Sequence, residues 1–192
     1  MTRFNLIVLA TLAMCGCVSV DKYPDQWDAL DGGVRSEICP KLSGIYDNTG
    51  VTAGGKHVLL ALWLSEITDH DAEFPLEMRD QLFKDLYAAT TVQIGVTDNQ
   101  TLAIKVTGEG VDREWTVPKE RIECKTNSIS VHGNGLAGGA GGFYAGTRFL
   151  DLYRSSNRLV LNQMDRGVVV LVFVPIVGYE NHWASFPLIR EE

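Results

Sequence analysis

The chain holds 192 residues, 45% of them hydrophobic and 21% charged, with a formal net charge of −7. That length fits one domain. The acidic balance argues against nucleic acid as a partner and against purely electrostatic binding to anionic lipid headgroups.

The first element is not fold. Met1, Thr2 and Arg3 make a short positive start, and residues 4–14 are an apolar run of eleven broken only by Asn5 and Thr11. A membrane-spanning helix needs about 20 apolar residues, so this run has the length of a signal-peptide core instead. Met14-Cys15-Gly16-Cys17 follows. A cysteine behind a small residue at the end of such a run resembles the lipobox of bacterial lipoproteins. The resemblance implies a signal peptide over 1–16 and a diacylated Cys17 at the new amino terminus. Val18, rather than an aspartate, implies export to the outer membrane, facing the periplasm, in a Gram-negative host. Cys15 is the alternative: it has the better Leu12-Ala13 pair upstream but bulky Met14 directly before it. Loss of 1–16 would take Arg3 from the 17 basic residues and nothing from the 24 acidic ones, moving the charge from −7 to −8.

Residues 17–37 read as an acidic tether with Pro24, the Gly32-Gly33 pair and one large apolar residue, Trp27, which would dock either on the domain or on the membrane. The domain then runs over 38–192. Two cysteines remain in it, Cys39 and Cys124. An exported chain meets an oxidising compartment, so a lone pair is expected as a disulfide. In the chain-entropy picture a loop of this length contributes about 4 to 5 kcal/mol.

Ile45 and Tyr46 begin the domain as a strand, closed by Asp47-Asn-Thr-Gly50. Residues 57–66 are apolar nearly all round and rich in leucine, which predicts a short buried helix. Residues 74–87 place Leu76, Met78, Leu82, Phe83 and Leu86 near helical spacing, with Pro75 suited to the start. From Thr90 the period becomes two. A three-residue loop at 98–100 pairs Val96 with Leu102, Ile94 with Ile104 and Val92 with Val106, leaving all six on one face; a shorter loop would split the faces. Asn99 or Gln100 should then be left-handed. A two-residue loop at Glu109-Gly110 pairs Ile104 with Trp115 and Leu102 with Val117, with Arg113 at the rim. Pro118 ends that strand.

Further strands are expected at 121–124, 128–131, about 143–154, 158–164 and 182–189, with turns at 155–157 and 165–167. The valine-rich run from Val168 is too short for a membrane span and too β-branched for a helix. The expectation is a mainly β domain: an antiparallel meander of about eight strands closing into a barrel, with short helices after the first strand.

At Leu42-Ser-Gly44-Ile-Tyr46, a glycine and aromatic on a first strand followed by a helix and hairpins resembles the opening of lipocalin-like (calycin) barrels, with tyrosine where that family has tryptophan. A tryptophan-bearing tether, then Cys39-Pro, then Leu-Ser-Gly-x-Tyr is similar to a group of small, uncharacterised proteobacterial lipoproteins. That likeness implies no activity.

Signals for chemistry are few. The four histidines, His57, His70, His132 and His182, include no pair at helical metal spacing. Asp69-His70-Asp71-Ala-Glu73 reads as a solvated acidic loop. Gly133-Asn-Gly135-Leu-Ala-Gly138 spells a dinucleotide fingerprint, but seven of the fourteen residues from 133 to 146 are glycine, so no helix starts there. Gly133, Gly135, Gly138, Gly139, Gly141 and Gly142 instead read as a mobile loop between two strands. No catalytic residue, metal site or cofactor is assigned, and serines such as Ser130 and Ser185 lack a recognisable triad setting. Two functions follow from these readings. One is a non-catalytic anchored module with an envelope protein as partner. The other is a lipocalin-like carrier or sensor of a small apolar ligand, with Trp115, Trp63, Phe149 and Tyr153 lining, or plugging, the barrel.

Overall fold

The computed structural model describes residues 17–31, 39–68, 76–97, 100–139, 142–171 and 174–191. The acidic stretch 69–73, the glycine-bearing end of the tether at 32–38, and Gly141 lie outside them, as do Asp98 and Asn99. In chain order the elements are β1 (Cys17–Val20), β2 (Gly44–Asp47), β3 (Thr49–Thr52), β4 (His57–Leu59), α1 (Leu60–Ile67), α2 (Leu76–Ala88), β5 (Ala89–Val96), β6 (Leu102–Gly108) and β7 (Val111–Val117). A 3-10 turn (Lys119–Arg121) leads to β8 (Ile122–Cys124), β9 (Ser128–Gly139), β10 (Gly142–Ser155), β11 (Arg158–Leu171) and β12 (Val174–Glu191).

The two hairpins β5–β6–β7 form in the register that alternation demands. Val92, Ile94 and Val96 face Val106, Ile104 and Leu102, and Ile104 and Leu102 face Trp115 and Val117. Gln100 takes the left-handed conformation, φ 59°, and Gly110 supplies φ 71° in the tighter turn. The shared apolar face is buried apart from Val96, which is partly buried at its end. Arg113 stands at its rim and reaches Asp85 of α2, Nε to Oδ2 2.6 Å.

The strands form one sheet in the order β7-β6-β5-β2-β12-β11-β10-β9-β8. Every pair is antiparallel except β1, which lies parallel on β12. The mainly β, antiparallel expectation holds; closure into an eight-stranded barrel does not, because the two end strands do not pair. Pro118, which has no N–H, stops β7, and the three residues of β8 turn away to pair with β9. The sheet bends where β12 passes from β11 to β2, with a register shift between Leu188 and Arg190. α1 fills the space the bend encloses, burying Leu60, Ala61, Leu64 and Ile67. Each of the leucines and the isoleucine contributes up to about 1.5 to 3 kcal/mol. α2 covers the core with Leu82 and Leu86 and leaves Met78 and Tyr87 outside.

Two sequence expectations are corrected. The turn at 165–167 does not exist: β11 runs straight through it, paired with β10 and β12 over its whole length. The glycine-rich stretch is not a loop. Gly133, Gly135, Gly138 and Gly139 lie in β9, Gly142 opens β10, and the two strands pair from Gly139↔Gly142 to Ser128↔Tyr153. Glycine has little intrinsic strand preference, but cross-strand pairing decides the outcome.

Candidate functional site

Three groups of functional side chains stand out, and each is placed by strand phase. The first is the edge that carries Cys17. β1 pairs Cys17 with Gly178 and Val20 with Asn181, and the Asp21 N–H continues the ladder to Asn181 O at 3.0 Å. His182 Nδ1 lies 3.1 Å from Asp21 Oδ2. Tyr23 stands edge-on to Trp183, centroids 5.1 Å apart, and Trp27 edge-on to Tyr23 at 5.7 Å. Trp27 therefore packs on Tyr23, which in turn stands against Trp183 of β12. Ser155 Oγ donates to Asp28 O (3.2 Å), and the Asp31 N–H donates to Arg154 O (2.9 Å). The segment 17–31, read from sequence as tether, is bonded to the body at both ends.

Beneath it lies a buried polar seam across β8–β10. Asp151 pairs with Ser130 across the sheet, and Asp151 Oδ1 accepts from Ser130 Oγ and, at 3.2 Å, from Lys125 Nζ. Tyr153 OH donates to Oδ2 at 3.3 Å. Burial first, and then the neighbouring Asp151 charge, push the Tyr153 phenol up to about 12. Lys125 meets the carboxylate's charge at the mouth of the seam. The Cys39–Cys124 disulfide, Cα atoms 4.9 Å apart, tethers β8 to the segment before β2.

The third group is a cleft of about 270 Å³ lined by Arg121, His132, Gly133, Thr147, Arg148 and Phe149. Arg148 shares the inward phase of Leu150 and Leu152. It bonds Asp165 Oδ1 through Nε at 2.7 Å and Glu66 Oε1 through Nη1 at 2.6 Å. Burial opposes its charge, but these two carboxylates outweigh that and raise its pKa. Arg121 donates to Ile67 O (2.9 Å), Thr68 O (2.8 Å) and His132 O (2.8 Å), closing the C-terminus of α1. Both guanidiniums in the cleft thus serve the fold. His132 lies edge-on to Phe149, centroids 5.0 Å apart, with Glu123 at 3.7 Å.

The four aromatic positions expected at a pocket do not meet in one. Trp115 is in the core and donates to Thr68 Oγ1 at 3.1 Å. Trp63 packs against the core from α1. Phe149 borders the cleft, while Tyr153 lies four residues further along β10 beside Trp183, at 5.8 Å. Among the described residues no group of three His, Cys, Asp or Glu side chains is placed to hold a metal. Arg148 and Asp151 were legible only as charged residues breaking an alternating pattern. Arg121 has no sequence signal, since its partners are backbone carbonyls at the end of a distant helix and on β9.

No protein-family model, curated protein or solved structure matched the chain.

Proposed function

We propose that this protein is a lipid-anchored envelope protein, acylated at Cys17, that works through protein contacts and not by catalysis. The observation that carries the reading is the seating of residues 17–31. With Asp21 bonded to β12 and Asp31 bonded to β10, an acyl chain on residue 17 holds the body itself at the membrane surface rather than on a long leash. Two or three acyl chains, at about 0.8 kcal/mol per buried methylene, suffice for stable anchoring. A Gram-negative outer membrane, with the body in the periplasm, suits the residue after the cysteine. The non-catalytic part draws on the cleft, where Arg148 is paired with Asp165 and Glu66 and Arg121 is bonded to three backbone carbonyls.

Mass spectrometry of the protein extracted from membranes tests the anchor. A diacyl or triacyl mass on Cys17, lost in Cys17→Ser and kept in Cys15→Ser, is expected; an unmodified chain overturns it. The lipocalin-like carrier of a small apolar ligand has less support, because α1 and Trp115 occupy the space a closed barrel would offer. Native mass spectrometry showing a stoichiometric co-purified ligand would restore it.

A further inference from the structure

A row of glycines crosses the four longest strands. Gly135, Gly146, Gly167 and Gly178 are successive partners on β9, β10, β11 and β12, and Cys17 pairs with Gly178 at the edge. The row divides the sheet by charge. Toward the core, the next row holds Arg166 and Tyr179, and the one after it Arg148, Asp165 and Glu180. Away from the core, four further rows carry no charged residue, from Leu136–Ala145–Val168–Val177 out to Gly139–Gly142–Leu171–Val174. Val168 and Val177, partners in the first of these rows, are 37% and 66% exposed. Exposed apolar side chains such as these two, opening an uncharged stretch of sheet, mark an interaction surface.

We propose that the part of β9–β12 beyond the glycine row is a membrane-docking arm, seated in the headgroup–acyl boundary of the leaflet that holds the acylated Cys17. This rests on the anchored reading above. Three features select a bilayer as occupant. Cys17 lies on the row where charge ends, so its acyl chains would leave the protein at the level where the apolar arm begins. The arm has the right reach. Four rows at about 3.3 Å extend about 13 Å, against about 30 Å for a hydrocarbon core, so the arm is too short to cross and engages one leaflet only. The row beneath the glycines carries interfacial chemistry: the Arg166 guanidinium lies 5.3 Å from the Tyr179 ring centroid, and both residues have an apolar body with a polar end. Among the described residues no strand pairs with the outer edge of β9 or β12 along the arm. Hydrocarbon has no group to satisfy such edges, which keeps the arm at the boundary, where water still reaches them. The net negative charge directs it to neutral headgroups.

The test separates arm from anchor. The full mature chain with Cys17→Ser has no acyl chains, so any affinity it keeps for phosphatidylcholine vesicles belongs to the arm. Flotation should carry this chain with the vesicles. Adding Val168→Glu and Val177→Lys, an opposite-charge pair at exposed positions that leaves net charge unchanged, should lower vesicle partition at least tenfold at an unaltered melting temperature. Failure of the Cys17→Ser chain to float, or equal partition of the charged variant, overturns the arm while leaving an acyl mass on Cys17 untouched. A self-associating chain that the paired substitutions dissociate, with no vesicle binding, assigns the arm to a second copy and also overturns the proposal. Should the paired variant not fold, Val177→Trp gives the same answer: added fluorescence quenched by brominated phosphatidylcholine supports insertion, and unquenched emission overturns it.

Discussion

Asn48 caps a helix from across the fold: its Oδ1 accepts the Ala61 N–H, thirteen residues away, at 2.8 Å. The residue before α1, Leu59, has no side chain that can do this. The same amide donates to Leu86 O (3.1 Å) and Ala89 O (2.8 Å) at the end of α2. Its backbone joins the Thr90 carbonyl and the Leu60 N–H. One buried residue between β2 and β3 thus ties both helices to the sheet. Asn48→Ala should cost about 2 to 4 kcal/mol, from three lost bonds at about 1 kcal/mol each and the groups left unpaired. At about 2 to 4 °C per kcal/mol, calorimetry should show a fall of several degrees. Asn48→Asp should be worse, because a carboxylate would face two carbonyl oxygens.

Gly133 is required by the close approach of α1. A Cβ there would lie 2.5 Å from Ile67 O and 3.0 Å from Ile67 Cδ1. Gly133→Ala should therefore destabilise by about 1 to 3 kcal/mol through forced displacement of the helix end. Gly95 has open space around its missing Cβ. Gly95→Ala should be neutral or stabilising, so the pair of denaturant midpoints separates a packing requirement from a general dislike of alanine in strands.

The acid limb of stability should run through Asp85. Burial pushes its pKa up, but hydrogen bonds from Arg113 and Gln81 and the Arg113 charge prevail and hold it below its ordinary value. A depressed folded-state pKa stabilises above the unfolded value and is lost as pH falls through the folded one. Arg113→Ala should remove this protection, shifting the acid unfolding midpoint upward. An unmoved midpoint would exclude the pair as a contributor.

At the alkaline end the sign reverses. Tyr153 is raised to about 12 by burial and by Asp151, so the fold favours the neutral phenol. Its contribution is intact below the unfolded value near 10 and declines as pH rises from there toward 12. In Tyr153→Phe this part of the alkaline loss should vanish from stability measured between pH 9 and 12, and spectrophotometric titration should lack one late-ionising tyrosine.

Where a structural decision was local, the sequence carried it. The faces of β5, β6 and β7 follow from a period of two and a turn of known length, because a one-residue slip would send a whole apolar face to water. That reasoning reached the register Ile94↔Ile104↔Trp115 and a left-handed residue at Asn99 or Gln100, the structure showing it at Gln100. The pairing of Cys39 with Cys124 came from compartment chemistry and from the count of cysteines.

The rest depended on segments far apart in the chain. Whether the meander closes is decided by which strand meets which edge: β2 inserts between β5 and β12, and β7 never reaches β8. Half-glycine sequence has the local preference of a loop, yet 133–139 and 142–146 are strand because β9 and β10 pair with each other and β10 pairs with β11. Arg121, Arg148 and Asn48 acquire their roles only when distant carbonyls and carboxylates arrive beside them. Alternation and turn length are properties of neighbouring residues and can be read one after another. Hydrogen-bond partners tens of residues away are chosen by the folded shape, and only the tertiary structure contains them.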